Sequence, residues 1–332
     1  MAVFRCNECA YLQEVPAKHI GKAAKCPHCQ QEGTIYDTVS FIEKILEKYS
    51  IQEKRLREIQ EQLQPNKQKN SAGAAKKSLE EIDIYHTDAL KSDEQYGPVL
   101  KWFEQQQIAV EFDPKSVDTT GFFDEIAVAL GTNYDTLKEV VDQIKYVQKK
   151  GYLDVKLNLG KKSQEQIKQI TAFCRNLLNY SFVAKYFYQK ENRIIRLKLQ
   201  TIPAIVNFFN GEWMEWLIFM RLLEFLQKTK LPFSCLRSAS ITFPNKDVHE
   251  IDIFFLINNS IPVCIECKSG QFQQYIDKYL TLRKRMHLNK ENFLLCIIDL
   301  SQKQCEGLTG MHELTFVNES NFVAHLETVL KN

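Results

Sequence analysis

The chain has 332 residues, of which 44% are hydrophobic, and its 43 Lys and Arg residues nearly balance its 41 Asp and Glu residues. This length allows two or three domains, and the net charge of +2 excludes a globally basic protein, so any basic binding surface must be local. No apolar run reaches the roughly 18 residues of a membrane span, and the N-terminus does not resemble a signal peptide, so we expect a soluble cytoplasmic protein with no membrane partner.

Two Cys-x-x-Cys pairs stand near the N-terminus, formed by Cys6, Cys9, Cys26 and Cys29. Four thiolates at this spacing match a tetrahedral structural Zn²⁺ site. Residues 1–37 therefore predict a zinc ribbon, in which the metal supplies much of the folding energy because so short a segment has little core. His19 and His28 are alternative ligands. Such a ribbon binds either nucleic acid or a protein partner.

Residues 38–64 carry a heptad pattern that is typical of a short coiled coil. The seam positions follow steps of three and four, at Ile42, Ile45, Tyr49, Gln52, Leu56, Ile59 and Leu63. This spacing predicts a helix that pairs with a second copy, and hence a homodimer. The alternative is an amphipathic helix packed on its own chain. Residues 65–80 are polar, basic and aperiodic, which predicts a flexible linker.

Residues 81–200 mix helical and strand patterns. We expect helices at Gly97–Gln107, at Thr136–Lys149 and from Ser163 to about Asn179, and a hairpin of strands at Phe182–Tyr188 and Arg193–Leu199. This succession predicts a small α/β or winged-helix-like module. It contains no chemical motif. Its basic residues are either nucleic-acid contacts or, as is more common, solvated surface, and they include Lys149, Lys150, Lys161 and Lys162.

An apolar helix and two strands follow in residues 201–332. The helix begins after Asn210-Gly211 and holds Glu215 in its first turns, either as a charge partner of the helix N-terminus or as an inward-facing ligand. Residues 248–270 predict two strands joined at Asn258-Asn259. Because side chains alternate along a strand, Glu266 and Lys268 share one face, and the hairpin can bring Asp252 close to them. On the first strand, Ile251, Ile253 and Phe255 are predicted to face away from Asp252.

Asp252, Glu266 and Lys268 form the candidate catalytic set. Adjacent carboxylates are costly to bury unless a cation neutralises them, and their oxygens suit Mg²⁺ or Mn²⁺. A metal ion polarises a phosphate and lowers the pKa of an attacking water, while a lysine orients that water and stabilises negative charge. The alternative is a plain salt bridge at a strand edge. His249, beside the set, is either a base or phosphate contact or, as is more common, an incidental strand histidine.

The order of helix-Glu, strand-Asp and strand-Glu-x-Lys resembles the PD-(D/E)xK nuclease superfamily. It resembles more closely the nuclease domains of CRISPR-associated ancillary effectors that carry a CARF sensor, through Trp213-Met214-Glu215, Glu250-Ile251-Asp252 and Glu266-Cys267-Lys268-Ser269-Gly270. The resemblance covers about residues 205–332 and implies a restriction-endonuclease-like α/β/α domain. It also implies that the metal ligands are Glu215, Asp252 and Glu266, that Lys268 orients the water, and that Gln271 is a weaker member.

The predicted fold is therefore a mixed α/β protein with a nuclease domain at its C-terminus. The hypothesis is a divalent-metal-dependent endonuclease, with DNA favoured over RNA as its substrate, that acts in phage defence or restriction. The ribbon and the middle module would then choose the target, and a homodimer would suit the cutting of two strands. The alternative is a non-catalytic nucleic-acid-binding or scaffold protein that uses a nuclease-like fold.

Overall fold

The computed structural model describes residues 1–6, 8–9, 11–49 and 93–331. The chain is a mixed α/β protein, as predicted, and it divides into two compact units. One unit combines Met1–Ser71 with Thr120–Trp213, and the other combines Ala72–Thr119 with Met214–Asn332. The predicted linker and the second half of the heptad helix lie outside the described residues. Within the described ranges, no helix has both the length and the apolar character needed to cross a bilayer.

The N-terminus of the first unit folds into four short antiparallel strands. They are β1 Ala2–Arg5, β2 Leu12–Val15, β3 Ala24–Lys25 and β4 Glu32–Asp37, in the sheet order β2-β1-β4-β3. The small core beneath them consists of Ala2, Phe4, Cys6, Cys26 and Ile35. Two of these five residues, Cys6 and Cys26, are predicted zinc ligands. So small a core does not stabilise the segment by itself, and the cysteines would add the stability of a bound metal.

Helix α1 spans residues 38–49 of the described chain. Its inner side packs Phe41 against Tyr36 and Phe122, with Ile45 beside them. The opposite side leaves a row of apolar side chains between 48% and 62% exposed, namely Val39, Ile42, Leu46 and Tyr49. This exposed row is offset from the predicted seam because Ile45 packs on its own chain. The pairing of this helix with a second copy stays a prediction.

The rest of the first unit packs helices on a three-stranded antiparallel sheet. Its elements are α3 Phe123–Thr132, α4 Tyr134–Lys149, β6 Asp154–Asn158, α5 Gln164–Asn179, β7 Val183–Gln189, β8 Ile194–Leu199 and α6 Pro203–Asn207. The strand order is β6-β8-β7. Ser163 caps α5 in a capping box with Gln166, and Gly151, with φ 73°, follows α4. The predicted small α/β module is therefore present, with these two helix boundaries as predicted.

A six-stranded mixed sheet forms the centre of the second unit. Its strands are β5 Ala109–Glu111, β9 Phe233–Thr242, β10 Val248–Ile257, β11 Ile261–Lys268, β12 Phe293–Ile297 and β13 Thr315–Val317. The order is β13-β12-β11-β10-β9-β5, antiparallel from β5 to β11 and parallel from β11 to β13. The surrounding helices are α2 Asp93–Gln105, α7 Trp213–Thr229, α8 Ile276–Arg285, α9 Gln302–Met311 and α10 Phe322–Val329.

Helices cover both faces of this sheet. The ring of Phe254 in β10 contacts Trp102 and Phe103 of α2, with centroids 5.0 and 4.6 Å away. The next residue, Phe255, contacts Phe219 of α7 at 5.7 Å. Because successive side chains of a strand point to opposite faces, α2 and α7 lie on opposite sides of the sheet. The C-terminal domain is therefore layered α/β/α.

Residues 93–119 join the C-terminal sheet and not the middle module. Strand β5 pairs with β9, which places Val110 opposite Ile241, and α2 buries Val99 and Phe103 in the core of that sheet. The helix predicted at Gly97–Gln107 is present but starts at Asp93. The boundaries of the two compact units therefore differ from those of the predicted ranges 81–200 and 201–332. The reason is that the short edge strand β5 belongs to the sheet with which it pairs.

Candidate active site and metal centre

The four cysteines of the N-terminal ribbon converge on one point. Their Sγ atoms all lie within 4.8 Å of one another, and Sγ of Cys6 is 3.4 Å from Cys29 while Sγ of Cys9 is 3.5 Å from Cys26. A tetrahedral zinc ion with bonds of about 2.3 Å separates its sulfur ligands by about 3.8 Å, so this cage fits zinc. The backbone N–H of His28 donates a hydrogen bond of 3.4 Å to Sγ of Cys26, which favours a thiolate there.

Other candidate ligands stay outside this cage. Neither His19 nor His28 belongs to the group, although both are in the described ribbon. Cys264 and Cys267, the third Cys-x-x-Cys, form no metal-binding group either. Cys264 is buried in the core on the α2 face, where an alternating strand cannot turn both thiols to the same point.

The hairpin of β10 and β11 brings Asp252, Glu266 and Lys268 together. Nζ of Lys268 lies 3.3 Å from Oδ2 of Asp252 and 3.9 Å from Oε2 of Glu266. The backbone N–H of Cys267 donates a hydrogen bond of 2.7 Å to the same Asp252 oxygen. The Asp252 carboxylate is therefore fixed between a backbone donor of the neighbouring strand and the lysine.

Glu266 is the most deeply buried member of this set, with 1% of its surface exposed. Burial, and then the negative charge of Asp252, raise the pKa of Glu266 well above its usual range, although Lys268 acts in the opposite direction. Its Oε1 atom has no hydrogen-bond partner among the described residues. An unpartnered buried carboxylate oxygen is costly, so this donor set fits a hard cation such as Mg²⁺ or Mn²⁺.

Lys268 lies between the two carboxylates and Tyr279 of α8. Its Nζ atom donates to the carbonyl oxygen of Cys267 at 2.9 Å and is 5.6 Å from the centre of the Tyr279 ring. Burial lowers the pKa of Lys268, but the charges of Asp252 and Glu266 outweigh burial and raise it. Burial and Glu266 raise the pKa of Tyr279. The lysine is thus a fixed cation, and the tyrosine hydroxyl stays protonated.

Glu215 lies in α7, where two residues of β9 hold its carboxylate. Oγ of Ser238 donates to Oε2 of Glu215 at 3.1 Å, and Nη1 of Arg237 is 3.9 Å from the same oxygen. Among the described residues, only the four cysteines form a group of three or more ligand atoms that all lie within 4.8 Å of one another. Glu215, Asp252 and Glu266 do not form such a group, and the predicted ligand role of Glu215 stays a prediction.

Arg237 and Ser238 are site residues that the sequence pattern does not reveal. Arg237 is buried, and its guanidinium lies over the Trp216 ring, 4.0 Å from the centroid. Ser238 has φ 51° inside β9, and the strand register places it across from Asp252. A left-handed serine within a strand is strained, and such strain occurs where the surrounding structure imposes it, often at functional sites. The one signal in the sequence is a charged residue in a strand that is otherwise uncharged.

The alternation predicted for residues 251–255 is wrong at Ile251. Ile251 packs in the same core cluster as Phe254, on the α2 face, whereas Phe255 faces α7. The left-handed backbone of Ser238 on the paired strand distorts the ladder at this point, so the two-residue period does not continue through it. The turn at Asn258-Asn259 is as predicted, because both residues have positive φ, at 52° and 56°.

His249 and Gln271, the weaker candidates, are not part of the set described above. Nδ1 of His249 has no hydrogen-bond partner among the described residues, and its ring packs edge-on against Phe243. Burial, then Lys278 and Arg285, lower the pKa of His249, which therefore stays neutral at pH 7. It lines an open cavity of about 540 Å³ beside α8. Gln271 is exposed in the loop that follows β11.

Comparisons with known proteins give partial structural matches at low sequence identity. No protein-family profile matches the sequence, and no curated protein matches it significantly. The crystal structure of protein VC1899 from Vibrio cholerae matches with 15% identity and a TM-score of 0.47, over 70% of this chain and 60% of that chain. Can2 from Sulfobacillus thermosulfidooxidans, in complex with cyclic tetra-adenylate, matches with 13% identity and a TM-score of 0.47, over 69% and 60%. The match thus spans about 60% of the length of each of these proteins, and at this level no activity carries over from them.

Proposed function

We propose that the chain is a divalent-metal-dependent nuclease with Asp252, Glu266 and Lys268 at its active site. The observation that carries the proposal is the buried, unpartnered Oε1 of Glu266 beside a second carboxylate. A structural salt bridge does not need this arrangement, because Lys268 and Asp252 already neutralise each other at 3.3 Å. The additional buried carboxyl is neutralised either by a proton, as its raised pKa allows, or by a further cation, and a divalent metal would supply that cation.

The oxygens of Asp252 and Glu266 would hold Mg²⁺ or Mn²⁺, with Glu215 as a third ligand. A metal ion bound there polarises the scissile phosphate and lowers the pKa of an attacking water. Lys268, held by Asp252 at 3.3 Å, orients the water and stabilises negative charge on the phosphate. The four ribbon cysteines would hold Zn²⁺ as a structural ion, because the protein supplies all four ligands and leaves no open position.

The finer assignment rests on the sequence resemblance of residues 205–332 to PD-(D/E)xK nucleases. We propose an endonuclease that cuts DNA in preference to RNA, acts in phage defence or restriction, and works as a homodimer through α1. A non-catalytic nucleic-acid-binding or scaffold protein is the second candidate. One observation favours it: within the described residues, Glu215, Asp252 and Glu266 do not form a metal-binding group, and Glu215 is held by Arg237 and Ser238.

Cleavage of plasmid DNA, single-stranded DNA and RNA, each with Mg²⁺ and with Mn²⁺, separates the two candidates. If the chain is a nuclease, we expect the wild type to cut at least one substrate and to cut DNA faster than RNA. A wild type that binds these substrates but cuts none of them with either metal would contradict the enzyme and leave the binding protein.

A further inference from the structure

The sheet β6-β8-β7 of the first unit has one buried and one exposed face. On β6 and β8 the inward residues are apolar and buried, namely Val155, Leu157, Ile195, Leu197 and Leu199. Five exposed residues on the other side form what we call the basic sheet face, namely Lys156, Lys185, Phe187, Arg196 and Lys198. The inward row accounts for the stability of the sheet, so the composition of the outward row needs another reason.

On the basic sheet face, like charges lie opposite each other, and this arrangement destabilises the sheet. The register places Lys156 directly opposite Arg196, and Lys185 directly opposite Lys198. Side chains in such pairs are roughly 5 Å apart at Cβ, and like charges at that distance destabilise the ladder. At the outward positions of these three strands, the register provides one acidic residue, Asp154, opposite Lys198. A bound polyanion would remove this repulsion.

The segment that contains this face has a local excess of positive charge, and four of its cations lie on the face itself. Residues 150–200 hold eleven Lys and Arg but three Asp and Glu, whereas the whole chain has a net charge of +2. A local excess of this size creates a positive potential that attracts a phosphate backbone.

Phe187 is the apolar member of the basic sheet face. Its side chain is 59% exposed, and it lies directly opposite Arg196. An exposed ring among cations is the arrangement that stacks on an unpaired base while the cations contact the neighbouring phosphates. The bases of a duplex already stack on one another, so a ring reaches their faces only at the cost of unstacking a base step. The surface therefore suits a single strand.

We propose that the basic sheet face binds single-stranded nucleic acid. Phe187 stacks on a base, and the four cations Lys156, Lys185, Arg196 and Lys198 contact phosphates on either side of it. This site goes beyond the proposed nuclease and does not depend on it. All five residues lie in the first unit, and none belongs to the set of Asp252, Glu266 and Lys268.

Fluorescence anisotropy with the full chain tests the proposal. The probes are labelled oligo(dT) and oligo(U) of about 20 nucleotides, longer than the ~4–16 nucleotides that such platforms cover, and a DNA duplex of the same length. No divalent metal is added, so binding is measured whether or not the second unit cuts. We expect at least one single-stranded probe to bind more tightly than the duplex. Equal or tighter binding of the duplex would overturn the proposal.

Two variants separate the stacking from the charge. Threonine replaces each residue because it favours exposed strand positions. Lys156→Thr/Arg196→Thr is expected to weaken binding at least tenfold and to make the salt dependence shallower by about 1.4 in log–log slope, for two lost phosphate contacts. Phe187→Thr is expected to weaken binding about tenfold with an unchanged slope.

Lys149→Ala/Lys168→Ala is the matched control, because it removes the same charge from exposed helix positions. We expect it to bind within about twofold of the wild type. An equal loss in this control, or full binding by both threonine variants, would overturn the site. Thermal unfolding is measured for each variant. If the first double variant does not fold, Lys185→Thr/Lys198→Thr replaces it with the same expected loss.

Discussion

Nζ of Lys268 lies 3.3 Å from Oδ2 of Asp252, although 16 positions separate the two residues in the chain. The antiparallel register of the hairpin, in which Ile253 pairs with Ile265, produces this approach. Glu266 is left beside a pair that already neutralises itself, with the same ammonium 3.9 Å away. If the proposed metal site exists, Glu266 is therefore the residue whose charge would depend most on the divalent metal.

Glu266→Gln is expected to abolish Mn²⁺ binding measured by isothermal titration calorimetry. The amide keeps the shape of the side chain but removes the buried charge that a cation would neutralise. For the same reason we expect the thermal midpoint without added metal to stay equal or to rise. Glu250→Gln, an exposed position on the same hairpin, is the control and should bind Mn²⁺ as the wild type does. Unchanged Mn²⁺ binding in Glu266→Gln would contradict the proposed ligand.

Asp124 predicts a pH dependence of stability in the first unit. It is buried, and burial raises its pKa to about 6 although Nζ of Lys48 lies 3.7 Å away. Because the folded pKa exceeds the unfolded one, the stabilisation is fully present below about pH 4 and is lost as the pH rises to about 6. Asp124→Asn should therefore match the wild type near pH 4 and exceed it by about 3 kcal/mol in unfolding free energy at pH 8.

Denaturant unfolding at three pH values, about 4, 6 and 8, measures this difference. Asp142→Asn removes an exposed carboxylate from α4 and should differ little from the wild type at any of the three. A constant difference between Asp124→Asn and the wild type across the range would show that Asp124 does not titrate in this way.

The ribbon should hold one zinc ion for each chain. Metal analysis of the purified protein is expected to find that ratio, and Cys26→Ser should lose the metal and lower the melting temperature. The cause is that a ribbon with five core residues depends on the metal for its folding energy. Cys174→Ala removes a buried cysteine of α5 and should retain the zinc. Zinc lost equally from both variants would argue against the four-cysteine site.

The exposed apolar row on α1 predicts self-association. Val39, Ile42, Leu46 and Tyr49 follow steps of three and four, the spacing of a coiled-coil seam. Light scattering is expected to give twice the chain mass for the wild type and the single mass for Ile42→Glu/Leu46→Glu. Glu43→Gln, at an exposed position between them, should remain a dimer. A wild type that is monomeric at every concentration would refute this prediction.

Features set by short-range spacing were predictable from the sequence. The four cysteines and the proximity of Asp252 to Glu266 and Lys268 depend on knuckle spacing and on one hairpin, so local rules suffice for them. The capping box at Ser163 is similarly local.

Other features depend on partners that are far away in the chain. The pairing of β5 with β9 needs a strand that comes more than a hundred residues later, so the sequence pattern placed residues 93–119 with their chain neighbours. The left-handed Ser238 is imposed by the folded environment and not by its residue type. The contacts of Arg237 and Ser238 with Glu215 join strand β9 to helix α7, and no spacing rule within one element predicts them.

Mn²⁺-dependent cleavage of plasmid DNA, measured for the full chain and for Lys268→Ala, tests the proposed active site most directly. We expect the wild type to cut the plasmid with Mn²⁺ and not with a chelator. Lys268→Ala is expected to cut about 10²–10³-fold more slowly, since it lacks the cation that stabilises the developing charge. Lys284→Ala, an exposed lysine on α8, should cut like the wild type. Cleavage by Lys268→Ala at the wild-type rate would contradict the proposed active site.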